Sequence, residues 1–191
     1  MGSDPQGRPG RDEDVGAVVE LLTEAAQLVR AREGRLGWPI PFPVEEVQAA
    51  AARGELRVLE SDARVVASYF LVWEDPRFWG PQPPIAGYLH KLAVRADQRG
   101  RGLGAAALDR ASAEVAVAGR SFLRLDCLAS QGRLVEFYRR EGFEPVGEID
   151  LGAATDRRHF LLMERSVGHR DSARASGVDP KSVGRVGGAK R

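Results

Sequence analysis

The apolar residues of this chain recur with two periods, and the switch between them marks out its elements. Val15, Val18, Val19, Leu22, Ala26 and Val29 repeat every three or four residues, one face of a helix running to about Arg32. Asp12 or Asp14 stands where its N-cap belongs. Gly37, Pro39, Pro41 and Pro43 then break the pattern. A short helix is expected over Val44 to Arg53, stopped by Gly54. Two β-rich runs follow, Leu56 to Glu60 and Arg64 to Trp73, joined by the polar hairpin turn Ser61-Asp62-Ala63.

A proline-rich loop, Asp75 to Pro84, precedes a strand over Ala86 to Val94. From Leu103 to Gly119 a thin stripe of Leu103, Ala107, Ala111, Val115 and Ala118 predicts a helix lying close to a sheet. Phe122 to Leu128 alternates, with Leu123, Leu125 and Cys127 on one face and Arg124 and Asp126 on the other. Gln131 to Glu141 is helical, with Leu134, Phe137 and Tyr138 on one stripe and Gly142 as its stop. Phe143 to Leu151 and Arg157 to Glu164 read as a closing antiparallel pair. The fold class is α/β (α+β), a mixed sheet with helices on its faces. One domain spans residues 12–166, between a Gly/Pro-rich, poorly ordered lead over 1–11 and a disordered basic tail over 167–191. Residues 6–11 hold few β-formers, so any first strand there should be truncated or irregular.

Composition narrows the function classes. No apolar run reaches the ~20 residues of a membrane helix, and the first residues lack the apolar stretch of a secretory signal. The tail carries six Lys/Arg against two Asp, leaving a slightly acidic body, unlike a nucleic-acid surface. The single cysteine, Cys127, excludes an internal disulfide and reads as a buried strand residue. His159 and His169 lack metal-ligand spacing, so no metal is expected. The cytoplasm is the expected compartment.

Between the strand ending at Val94 and the helix starting at Leu103 lies Arg99-Gly100-Arg101-Gly102-Leu103-Gly104. Such a turn aims backbone N–H groups into one concavity, and the helix start adds free donors and partial positive charge. Arg99 and Arg101 supply guanidinium groups suited to phosphate. Glycines at alternate positions fit neither the G-x-G-x-x-G dinucleotide turn nor the Walker loop, whose Gly-Lys-Ser/Thr ending is absent. A pyrophosphate of another kind is implied, or else a flexible turn without a ligand.

With Leu89-His90-Lys91-Leu92-Ala93-Val94 upstream, this segment resembles motif A of the GNAT N-acetyltransferase superfamily, its Arg/Gln-x-x-Gly-x-Gly/Ala pattern met by Arg99, Gly102 and Gly104. Phe137-Tyr138-Arg139-Arg140-Glu141-Gly142-Phe143 resembles motif B. The resemblance covers roughly Leu56 to Glu164 and implies a single-domain, mostly antiparallel twisted sheet flanked by helices. It implies acetyl transfer from acetyl-CoA to an amine of a small molecule or peptide by direct attack. It also leaves room for a homodimer. Where many family members place Asn, seven residues before the tyrosine, this chain has Gln131.

The resemblance assigns cofactor contacts to the backbone of Leu92, Ala93 and Val94, to Arg99 through Gly104, and to Gln131 and Tyr138. Direct attack needs a base for the amine, donors near the carbonyl and an acid for the thiolate. His90 is the candidate base at an ordinary pKa near ~6.5, with a carboxylate such as Glu74 as the alternative. Tyr138 is the candidate acid, or else an aromatic satisfied in the core. Tyr88 shares the face of His90, and Trp38, Trp73, Phe78 and Trp79, together with Glu74 and Asp75, are further candidates to line an acceptor site for a hydrophobic, cationic amine. A non-catalytic acyl-CoA-binding module of the same fold is the competing reading.

Overall fold

The computed structural model describes residues 5–34, 38–152 and 158–168. The expected basic tail and His169 therefore lie outside the described residues, apart from Val167 and Gly168. In chain order the elements are β1 (Gln6–Pro9), η1 (Asp12–Asp14), α1 (Val15–Glu33), α2 (Val44–Ala52), β2 (Leu56–Ser61), β3 (Arg64–Val72), α3 (Pro76–Trp79), β4 (Ala86–Val94), η2 (Ala96–Gln98), α4 (Leu103–Val117), β5 (Phe122–Leu128), α5 (Gly132–Arg140), β6 (Glu144–Leu151) and β7 (Arg158–Ser166). Here η1 and η2 are short 3-10 turns. The strands form one sheet in the order β1-β2-β3-β4-β5-β7-β6. Every neighbouring pair is antiparallel except β4 and β5. That parallel pair needs a crossover, which α4 supplies.

Each face of the sheet has its own core. Leu89, Leu123, Leu125, Cys127 and Met163 pack beneath α4 and α5, where Leu103, Ala107, Leu108, Ala111, Val115 and Tyr138 meet them. Val58, Val65, Phe70 and Ala93 face the other way, toward Val18, Leu21 and Leu22 of α1 and Val47 and Ala50 of α2. Arg165 of β7 is buried over the Phe143 ring, 5.0 Å from its centroid. It donates to Leu108 O at 2.7 Å, to Glu141 O at 3.0 Å and to the Ser112 hydroxyl. One guanidinium thus bonds the Glu141 carbonyl at the C-terminal end of α5 and two groups within α4, which fixes α4 against the end of α5.

The sequence left the first residues without a regular strand, yet Gln6–Pro9 pairs in register with β2 from Gln6↔Glu60 to Pro9↔Arg57. The strand is held by its backbone and by a charge cluster, not by β-forming side chains. Arg8 donates to Asp14 at 2.6 and 2.9 Å and to Glu60 at 2.7 Å. Asp14 also accepts from Arg11 N–H at 2.8 Å and is almost wholly buried. It was expected to cap α1, but its carboxylate is spent on this cluster and makes no side-chain cap.

The Arg8 hydrogen bond, opposed by burial and aided by Arg11, holds the Asp14 carboxyl below its ordinary range. A depressed carboxyl pKa contributes stability that is complete above about pH 4 and lost as pH falls through the folded-state value. Asp14→Asn should therefore lower the unfolding free energy by about 2 kcal/mol at neutral pH, because Arg8 loses its buried partner. Denaturant melts at pH 7 and pH 3 check this, the difference from the parent shrinking at the lower pH.

Candidate active site

The ladder between β4 and β5 runs only from Ala86↔Phe122 to Leu89↔Leu125. Beyond it β4 continues against β3, with His90↔Phe70, Ala93↔Ser68 and Val94↔Ala67. Meanwhile β5 continues against β7 as far as Leu128↔Phe160. The two parallel strands therefore part after Leu89 and Leu125. Their facing backbone groups lose their sheet partners, which makes the gap a place where a polar, extended ligand can be received.

A bulge in β4 accompanies the split. Lys91 and Leu92 together stand opposite Tyr69, and Lys91 takes φ +55. That left-handed conformation is costly for a side chain other than glycine. Surrounding contacts hold it. The Lys91 ammonium lies 5.5 Å from the ring centroids of both Trp38 and Phe42 and 3.7 Å from Glu46. Leu92 and Val94 pack toward the α4 core and Ala93 toward the α1 core, so what this segment offers the gap is its backbone.

The glycine turn follows directly. Gly100 and Gly102 have φ +77 and +78. Gly102 is the N-cap of α4 and supplies no side-chain bond, so the amides of the first helical turn point out unspent. Gly104 serves another purpose. A Cβ there would stand 3.0 Å from Phe137 Cζ, so the missing side chain lets α5 close against α4. Leu103 is buried and contributes its backbone only. Arg99 and Arg101 are exposed, Arg101 bonding Gln98 at 2.6 Å and Arg99 reaching Val94 O at 3.4 Å. Gln131 is the N-cap residue of α5, where its carbonyl accepts from Leu134 and Val135. The donors, charge and absence of side-chain bulk suit a pyrophosphate at this end of the split.

The two catalytic candidates approach from opposite faces. Tyr138 belongs to the α4 and α5 core, its ring against Phe137 and Phe143 at 5.3 and 5.7 Å. Burial, with the Asp126 carboxylate adding to it, raises its pKa so that the phenol keeps its proton. Cys127 is buried as expected, and burial lifts its thiol to about 12. It is no nucleophile at neutral pH.

His90 occupies the other face, where its position corrects one expectation. Its Nε2 lies 3.4 Å from Asp75 Oδ2 and its Nδ1 3.4 Å from Asp126 Oδ1. Burial disfavours the imidazolium, but the contacts to Asp126 and Asp75 outweigh it and raise the pKa to about 9. The ordinary value assumed from the sequence does not hold, because two carboxylates from separate elements converge on the ring. Phe78 of α3 covers this group, its ring 6.2 Å from His90 and 5.2 Å from Phe160. One atom each from Asp75, His90 and Asp126 lie within 4.8 Å of one another, a grouping that can also hold a cation. Residue spacing could not show it, since the three come from β5, β4 and the loop before α3.

The acceptor candidates separate. Trp38 stays beside Lys91 and Phe42, at the connection between α1 and α2. Trp73, Glu74 and Tyr88 instead line a cavity of about 410 Å³ under the β3–β4 connection. Trp79 packs on Tyr88 at 5.9 Å and under the Arg124 guanidinium at 4.6 Å. Glu74, the suggested alternative base, is exposed, whereas its neighbour Asp75 is buried and faces His90. Asp75 and Phe78 were expected beside the acceptor and are found against His90, whereas Phe160 had no role from the sequence. Asp126 carried a usable signal: strand alternation sets it opposite Cys127 on β5, and the parallel partner strand puts His90 on the same face.

Among the described residues no helix is long and apolar enough to cross a membrane. Residues 52–145 match the family model for the acetyltransferase (GNAT) domain. The uncharacterised N-acetyltransferase YesJ of Bacillus subtilis (strain 168) is 30% identical over 168 residues, which cover 83% of this chain and 88% of that protein. An N-acetyltransferase from Staphylococcus aureus Mu50 superposes with a TM-score of 0.68 at 18% identity, over 86% of this chain and 99% of that one. yncA from Salmonella typhimurium, an acetyltransferase by description and solved with its cofactor acetyl-CoA, gives 0.66 at 14% identity, over 86% and 95%. The two superpositions speak for the fold alone. Together with the split strands and glycine turn, the sequence matches show that this chain belongs to the GNAT acetyltransferase family.

Proposed function

We propose that the protein moves the acetyl group of acetyl-CoA to a primary amine of a small molecule or peptide by direct attack, with His90 as base and Tyr138 as acid. The family carries out acyl transfer with acetyl-CoA as co-substrate. The observation that carries the finer reading is the Asp75–His90–Asp126 group at the point where β4 and β5 part.

The steps follow from proton balance. The acceptor arrives as an ammonium ion and gives one proton to neutral His90, which frees the nitrogen lone pair. The nitrogen attacks the thioester carbonyl carbon, and backbone N–H groups of Leu92 to Val94 receive the developing oxyanion. The C–S bond breaks as Tyr138 gives its proton to the sulfur, the second proton of the new amide nitrogen restores the phenol, and His90 passes the first proton to solvent. The products are an N-acetyl amine and free CoA. The pyrophosphate is held by the amides at the start of α4 with Arg99 and Arg101, and Gln131 lies at the α5 end of the gap. His90 near pH 9 is well matched to an alkylammonium, so proton exchange between them is close to isoenergetic.

Since the base works in its neutral form, kcat/KM should rise with pH through the neutral range and level off near 9. Asp126→Asn removes one carboxylate from the ring and should move that limb about one unit to lower pH. A limb that stays in place for the same amine in both proteins excludes His90 as the titrating base. For the acid, Tyr138→Phe should lower kcat about 100-fold while acetyl-CoA still binds. Thiol release from acetyl-CoA, assayed with arylalkylamines, polyamines, antibiotic amines and peptide N-termini, supplies both measurements. Binding of acetyl-CoA without turnover of any amine would favour a non-catalytic module.

A further inference from the structure

Asp75 serves two spaces at once. Its carboxyl is more than nine-tenths buried, and Oδ2 has no hydrogen-bond partner. The polar atom it faces is His90 Nε2, 3.4 Å away. His90 holds this oxygen at ion-pair distance without a hydrogen bond, and an arriving ammonium N–H would supply the bond it lacks. The same residue also lines the cavity under the β3–β4 connection, with Glu74, Trp73, Tyr88, Gln82 and a run of prolines.

That cavity suits a second positive charge. None of its lining residues is basic, and Glu74 has no ion-pair partner among the described residues. Two arginines stand just outside it. Arg124 is neutralised by Glu164 at 2.6 Å and donates to Gln82 Oε1 at 3.1 Å and the Tyr88 hydroxyl at 3.3 Å, while Arg120 stacks on Trp73 and donates to Trp73 O and Ala86 O. Within the lining itself the charged side chains are Glu74 and Asp75, and Asp75 is shared with His90. The distance of the cavity from the reacting centre follows from the strand. Tyr88 and His90 are two residues apart on one face of β4, or ~6.5 Å at the rise of a β-strand.

We propose that the acceptor is a linear diamine, one nitrogen reacting at His90 while the other, as an ammonium ion, sits between Glu74 and Tyr88. The nitrogens are ~6–7 Å apart in such a complex, the reach of a chain of about four or five methylenes. This assignment rests on the acetyl-transfer reading above, and it names the substrate class of that site. A monoamine fills the reacting position and leaves the cavity empty.

Steady-state kinetics with putrescine, cadaverine and shorter diamines, each against butylamine or pentylamine, test the assignment. Putrescine or cadaverine should exceed its monoamine by at least about tenfold in kcat/KM, a difference of roughly 1.4 kcal/mol. Glu74→Gln should cut that ratio about fivefold, chiefly through KM, and Glu74→Asp should restore most of it. Equal use of monoamines and diamines, or an unchanged ratio in Glu74→Gln, overturns the diamine assignment and leaves acetyl transfer standing. If no amine is turned over, acetyl transfer fails and calorimetry on the CoA-loaded protein decides the cavity. Putrescine binding tighter than butylamine and weakened by Glu74→Gln upholds it. Equal binding overturns it.

Discussion

The structure turns on one broken ladder. A parallel strand pair in a sheet is ordinarily buried and fully bonded, with helices over both faces. Here the bonding between β4 and β5 ends at Leu89 and Leu125, although both strands continue. The backbone groups released must find other partners, because burying them unpaired is expensive. Outer partners keep the strands straight on either side, β3 for β4 and β7 for β5. The bulge at Lys91 adds a residue to β4 and turns it away from its neighbour. The gap is thus a built feature, held open by the ordinary pairing around it.

Everything chemical is arranged about that gap. At its mouth β4 runs through a short turn into Gly100 to Gly104 and the unspent amides of α4. Tyr138 lies in the core on one face of the sheet and His90 on the other, with Asp126 of β5 beside His90. A continuous sheet would keep these faces apart. Rigidity comes from charged groups with several partners: Arg165 ties α4 to the end of α5, and Lys91 ties the bulge to Trp38, Phe42 and Glu46.

Much of this could be read along the chain. Apart from β1 and the short α3, which falls in a segment expected as a loop, the helices and strands follow their apolar periods to within a residue or two, as the clean alternation of Phe122 to Leu128 shows. The glycine turn was legible through composition and place as a candidate phosphate site, and the structure separates its glycines: Gly102 takes a positive φ, and Gly104 lets Phe137 come close. What stayed hidden depends on contacts between distant segments. Gln6–Pro9 is a strand because Arg8 meets Asp14 and Glu60, a fact no local propensity contains. His90 was visible as a histidine but its charge was not, since Asp75 and Asp126 reach it only through the sheet and the loop beside it. Trp38 and Trp73 both looked like acceptor-site aromatics, yet the fold sends them to different places.

The central claim is that the gap between β4 and β5, with the turn at its end, receives CoA. Backbone amide NMR with CoA titrated into the full chain tests it most directly. The account predicts changes confined to the amides of Leu92 to Val94, Gly102 to Ala105 and the start of α5, with slowed hydrogen exchange at the first two segments. No perturbation at saturating CoA, or perturbation elsewhere with these amides unmoved, would contradict it.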